Sequence, residues 1–142
     1  MVKSILMKRN LARVLKQKMP ALKKLFAHDP RVLGVFLFGS QADGTATARS
    51  DIDLAVLFDR EIDLREELAF EVAVSNALGV DDVDIVHLNR ASLLFRFRAV
   101  AGKLLYERDY VRVSDFIERT LIEHRDFAPR AQAALRDFFA TL

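Results

Sequence analysis

Three aspartates and one glycine–serine pair carry the chemistry that this sequence can do. Asp51 and Asp53 flank Ile52 where the apolar run LAVLF begins. On a strand their carboxylates project from one face about 7 Å apart, while Ile52, Leu54, Val56 and Phe58 take the other face. Like charges so placed repel, and in an apolar setting their pKa values rise. A divalent cation removes that cost, and Mg²⁺ accepts hard oxygen ligands with open positions filled by phosphate. Asp84 lies in VDIVHL, with Val83, Ile85 and His87 on the opposite face. A third strand laid beside the second brings Asp84 to the first pair. Three carboxylates can then hold two cations about 3.5–4 Å apart, the arrangement for in-line displacement at phosphorus. One cation lowers the pKa of an attacking hydroxyl; the other neutralises a leaving pyrophosphate.

Gly39-Ser40 follows the apolar run VLGVFLF directly. A glycine lets backbone approach a ligand closely, free amides at a helix start attract anions, and the serine hydroxyl adds a donor. Gln41-Ala42 can begin a short helical turn, and Gly44 gives a second flexible point. The loop reads as a triphosphate cradle beside the acids. Singly, Gly-Ser is an ordinary turn, Asp-x-Asp a solvated strand end and Asp84 a surface acid. The order in which they occur, between apolar strands, is what points to a site.

The elements that must position these residues follow from periodicity. Ile5, Leu6, Leu11, Val14 and Leu15 predict a helix over about residues 3–18. Pro20 is expected to start a second helix running to about Ala27, stopped by His28-Asp29-Pro30. Residues 32–38, 52–58 and 83–88 read as strands. Residues 63–78 carry Leu64, Leu68, Val72 and Ala73 at helical spacing, with Gly79 as the stop. Residues 91–101 read as helix, Lys103–Tyr106 as a short extended piece, and 110–140 as helix broken at Pro129. The fold class is α/β, a small sheet flanked by helices with a helical C-terminal extension. A single domain is expected over 1–142, its core at about 20–101 and its extension at about 110–142.

Composition narrows the classes. With no cysteine, thiolate metal sites and cysteine nucleophiles are excluded, and a reducing, cytoplasmic setting is expected. No apolar run approaches the roughly 20 residues that span a bilayer, so no membrane partner is expected. Residues 1–31 hold nine Lys or Arg and one acid, a net +8, while the remainder carries −6. That basic leader suits nucleic acid, an acidic partner or a targeting presequence, but a solvated helix face explains it equally simply.

Gly39-Ser40, ten residues, then Asp51-Ile52-Asp53 resembles the signature of the DNA polymerase β-like nucleotidyltransferase superfamily. GSQADGTATARSDIDLAVLF, with Asp84 in VDIVHL, is most similar to the minimal nucleotidyltransferases. HLNRASLLFRFRAVAGKLLYERD further resembles the antitoxin members of HEPN–MNT toxin–antitoxin pairs. The likeness covers about residues 20–109 and fades in the C-terminal helices; residues 1–18 add nothing to it. It implies a polymerase β-like core with a small mixed sheet. It also implies two Mg²⁺ ions bound by Asp51 and Asp53, with Asp84 on the catalytic metal and assisting deprotonation of the acceptor. Gly39 and Ser40 would hold the β- and γ-phosphates of ATP. The implied reaction is AMP transfer to a tyrosine of a partner HEPN ribonuclease toxin, with a homo- or hetero-oligomer as the assembly. One position departs: Asp43 stands where relatives often carry arginine. That acid keeps open an alternative, a non-catalytic antitoxin that neutralises its partner by occlusion. A glycosyltransferase reading of Asp-x-Asp is disfavoured, because 142 residues leave little room for donor and acceptor sites.

The remaining signals are weaker. His28, His87 and His124 have no metal-ligand spacing, and Arg119 with His124 matches an R-x4-H ribonuclease spacing by coincidence. Phe95, Phe97, Phe116, Phe127, Phe138 and Phe139 are expected to pack in cores or between helices rather than stack on bases. Arg96, Arg98, Arg108 and Arg112 can line a route for phosphate, but a solvated helix face is the simpler account.

Overall fold

The computed structural model describes residues 11–43 and 51–142. In chain order these form α1 (Leu11–His28), β1 (Val32–Phe38), the one-turn α2 (Ser40–Asp43), β2 (Ile52–Phe58) and α3 (Leu64–Leu78). There follow β3 (Val83–His87), a 3-10 turn (Leu88–Arg90), α4 (Leu93–Val100), β4 (Lys103–Glu107) and α5 (Tyr110–Ala140). The four strands make one sheet in the order β3-β2-β1-β4. β1 is antiparallel to β2 and β4, whereas β2 and β3 are parallel, so the sheet is small and mixed as expected. The expected helix residues 3–10 and Gly44 lie outside the described residues.

Both faces of the two central strands are covered, which is why VLGVFLF and IDLAVLF read as nearly unbroken apolar runs. On one face Val35, Leu37, Leu54, Val56 and Phe58 pack against α1 and α3. On the other, Phe36, Phe38, Ala55 and Leu57 lie beneath Ala99 of α4 and Val113 of α5. Asp53 shares the parity of Ala55 and Leu57, so it stands on the face covered by α4 and α5, at the strand end. Among the described residues no helix is long and apolar enough to cross a membrane.

Four expectations are corrected. First, α1 runs unbroken through Pro20. Leu11, Leu15, Leu22 and Phe26 form one buried stripe, and anchoring it on both sides of the proline outweighs the roughly 3 kcal/mol that an interior proline costs. Second, α5 also continues through its proline, Pro129, in a largely exposed stretch where solvent can take up the backbone acceptor left without a donor. Third, α3 buries Phe70, Val74 and Leu78, while Leu64, Leu68 and Val72 face outward at 52–67% exposure. Two apolar stripes compete on this helix, and the aromatic one, which packs Phe70 edge-on against Phe58, takes the core. Its start is fixed by the Asp63–Glu66 capping box and its end by Gly79 at φ 74°. Fourth, Phe95, Phe127, Phe138 and Phe139 are exposed rather than packed, whereas Phe116 does pack against the sheet. The third strand ends at His87, with Leu88 opening the 3-10 turn.

Candidate active site

The first strand delivers its chain end beside the second strand's acids. Phe38 pairs with Asp53 across β1 and β2, so Gly39 emerges directly against that carboxylate. Gly39 adopts φ 71°, a left-handed conformation that favours glycine. A Cβ built there would lie 2.4 Å from Asp53 Oδ2, so the backbone favours glycine and any side chain would push the carboxylate aside. Ser40 and Asp43 bound the one-turn α2, which opens with the Ala42 amide donating to the Gly39 carbonyl at 3.1 Å. The side chains of Ser40 and Asp43 lie outside the described residues.

The parallel pairing of β2 with β3 sets Asp53 opposite Asp84. Asp51 sits two residues before Asp53, just ahead of the strand, where the Ile52 amide donates to the Asp82 carbonyl at 2.9 Å. Burial pushes the Asp53 carboxyl above the usual carboxylate range, the charges of Asp84 and Asp51 push it the same way, and Arg98 opposes them. The three acids are therefore gathered at one end of the sheet and act on one another. As they stand, no three His, Cys, Asp or Glu among the described residues form a ready-made metal cage. The donor set itself, oxygen only and anionic, fits Mg²⁺.

A cleft of about 500 Å³ opens from Gly39 and Ala42 towards Phe97, Arg98, Ala101, Gly102 and Lys103. Asp53 borders it through Gly39. The structure separates the four arginines that the sequence left undivided. Arg96 donates to Glu123 at 3.0 Å and to the Ala91 carbonyl at 3.3 Å. Arg108 donates to the carbonyls of Phe26, Ala27, Asp29 and Val32, clamping the turn before β1. Arg112 donates to the Asp59 carbonyl. Arg98 alone of the four lies on the cleft, its guanidinium carbon 5.6 Å from the Phe38 ring centroid and 5.7 Å from that of Phe95. Sequence reasoning set Arg98 aside as part of a solvated helix face and did not weigh Gly102 or Lys103 as site residues. The available signal was the spacing of Phe95 and Arg98 on one helix face just before a glycine.

Other sequence candidates fall elsewhere. His87 is buried at the end of β3, edge-on to Phe58 at 5.1 Å, and burial lowers its pKa. Its pairing with an aromatic ring in the core marks it as a packing residue. His124 stacks on Phe97 at 3.5 Å. Arg13, Lys16, Lys18, Lys23 and Lys24 all point to solvent along α1, so the described part of the basic leader is a solvated helix face.

Residues 21–111 match the family described as polymerase beta, nucleotidyltransferase. The protein adenylyltransferase MntA of Aphanizomenon flos-aquae (strain 2012/KM1/D3) is 33% identical over 113 residues, covering 72% of this chain and 75% of that protein. Two solved structures share the fold. A toxin–antitoxin crystal structure with AMP-PNP is 25% identical with a TM-score of 0.65, covering 93% of this chain and 98% of that one. A crystal structure of the toxin–antitoxin pair MntA–HepT is 25% identical with a TM-score of 0.66, covering 87% and 98%.

Proposed function

Because the chain belongs to the polymerase beta nucleotidyltransferase family, we propose that it transfers AMP from ATP onto a tyrosine hydroxyl of a HEPN-type toxin and so acts as that toxin's antitoxin. The observation that carries this reading is the opposition of Asp53 to Asp84 across β2 and β3, with Gly39 held against Asp53 by its own lack of a side chain. Asp51, Asp53 and Asp84 would hold two Mg²⁺ ions, which when bound neutralise phosphate charge and acidify the acceptor hydroxyl. Gly39 and Ser40 take the β- and γ-phosphates, where the chain turns away from β1 and its backbone can approach closely. Asp84 is the exposed member of the acid trio and assists removal of the acceptor proton. The tyrosine oxygen bonds to the α-phosphorus, the bond from that phosphorus to the bridging oxygen breaks, and pyrophosphate leaves with the electron pair. The toxin completes the acceptor side of the site.

The decisive experiment incubates the chain with ATP, Mg²⁺ and its HEPN-type partner, and weighs the partner by mass spectrometry. One or more added AMP units are expected, and none with Asp53→Asn. Full protection of cells by an Asp51→Ala/Asp53→Ala double variant, co-expressed with the toxin, would overturn transfer in favour of occlusion.

A further inference from the structure

We propose that Arg98, with Lys103 beside it, binds the terminal phosphates of the nucleotide and retains them as the pyrophosphate leaves; the inference rests on the nucleotidyl-transfer reading above. Three observations converge on it. Arg96, Arg108 and Arg112 have their donors engaged within the fold, whereas Arg98 makes no hydrogen bond or ion pair among the described residues. Its position is nevertheless defined, because the guanidinium rests near the Phe38 and Phe95 rings, contacts that hold a cation without using its N–H donors. Phe38 is the last residue of β1, so the perch places those donors over the point where the chain becomes Gly39.

Lys103 reaches the same cleft by a different constraint. Gly102 lies so close to β1 that a Cβ there would meet the Leu37 carbonyl oxygen at 2.2 Å. That close approach seats Lys103 opposite Leu37 in the β1–β4 pairing, at the strand end where the chain lines both this cleft and the α1 face. Arg98 thus stands at the loop within electrostatic reach of Asp53, and Lys103 lines the same cleft. A nucleoside triphosphate brought against three carboxylates needs positive charge beside them. A planar guanidinium whose donors take no partner among the described residues suits two phosphate oxygens at once, and the charge on those oxygens grows as pyrophosphate forms.

The test is titration calorimetry of the full chain in Mg²⁺ buffer with ATP, inorganic pyrophosphate and AMP as separate probes, on the wild type, Arg98→Ala, Arg98→Lys and Lys103→Ala. A hydrogen bond to a charged group is worth enough that Arg98→Ala should weaken ATP and pyrophosphate about 10- to 100-fold. AMP binding should change less than about twofold, since it lacks the terminal phosphates. Arg98→Lys should restore part of the loss, and Lys103→Ala should show the same ranking of probes with a smaller effect. Equal loss of all three probes, or unchanged ATP and pyrophosphate affinity, overturns the assignment, as does absence of ATP binding by the wild type. If the wild type binds ATP yet modifies no partner, the transfer reading fails. The contrast of ATP with AMP then still decides for or against Arg98.

Discussion

Asp53→Asn separates the electrostatic reading of the site from a merely structural one, because it should stabilise the metal-free protein while abolishing transfer. Asp53 and Asp84 are register partners on neighbouring strands, whose backbones lie about 4.8 Å apart. Two unit charges at that distance repel by about 3 kcal/mol at an effective dielectric of about 20, and by about 1 kcal/mol in water. Asp84 is exposed, so the lower figure applies. The variant should therefore gain about 1 kcal/mol in EDTA at pH 7 and low salt, a rise of about 3 °C in melting temperature for a domain of this size. The pH dependence has a definite sign. The folded pKa of Asp53 is raised above its ordinary 3.8, so the protonated form favours folding. That contribution is complete below the unfolded value and is lost as pH rises through the folded one. The gap between variant and wild type should be full at neutral pH and close near pH 3. Added Mg²⁺ should reverse the order, raising the wild type by about 2.7 kcal/mol at one hundred times its dissociation constant and the variant far less. A variant less stable than the wild type in EDTA at pH 7, or a gap that persists at pH 3, refutes the reasoning.

Gly39→Ala places a methyl group 2.4 Å from Asp53 Oδ2 at a backbone φ of 71°. It should cost about 1–2 kcal/mol by thermal unfolding and, by displacing the carboxylate, about a hundredfold in kcat/KM; near-wild-type kinetics would contradict the placement. Asp43→Arg exchanges an anion for a cation at the end of the one-turn helix after Gly39, and should tighten ATP several-fold by calorimetry. Unchanged affinity would show that this residue does not face the phosphates. Glu66 accepts from Arg60, the Asp63 amide and Arg31, which hold its carboxyl down at about 2. Its contribution to stability is therefore present above its ordinary 4.5 and lost as pH falls towards 2, so Glu66→Gln should flatten urea midpoints between pH 5 and 2. A variant with the wild-type acid limb would remove Glu66 from that linkage.

The elements legible in the sequence were those whose pattern had a single reading. VLGVFLF and IDLAVLF, bounded by Pro30, Gly39 and the acids, allow only buried strands of seven residues, and the structure places them within a residue of that expectation. Helix continuity was less legible, because a proline is a local signal and packing is not. Pro20 ends a helix on local grounds, yet Leu22 and Phe26 continue the stripe begun by Leu11 and Leu15, and burial decides. The same holds on α3, where Leu64, Leu68 and Val72 have the better helical spacing near the N-terminus. Phe70, Val74 and Leu78 have the partners, and nothing in the sequence says which stripe the sheet meets.

At the site, the difference lies between residues recognised by type and residues recognised by elimination. Asp51, Asp53 and Asp84 declare themselves through their order after Gly39-Ser40 and between apolar strands. The strand register that sets Asp53 opposite Asp84 then needs only β3 to lie beside β2. Arg98 has no such mark. It is one of four arginines between residues 96 and 112, and its distinction appears only once the other three are seen to hold a turn, a helix and a loop carbonyl. A cation whose donors take no partner among the described residues, fixed over aromatic rings at the mouth of a cleft, is placed for a ligand to satisfy. A residue of this kind stays invisible until the hydrogen bonds around it have been assigned.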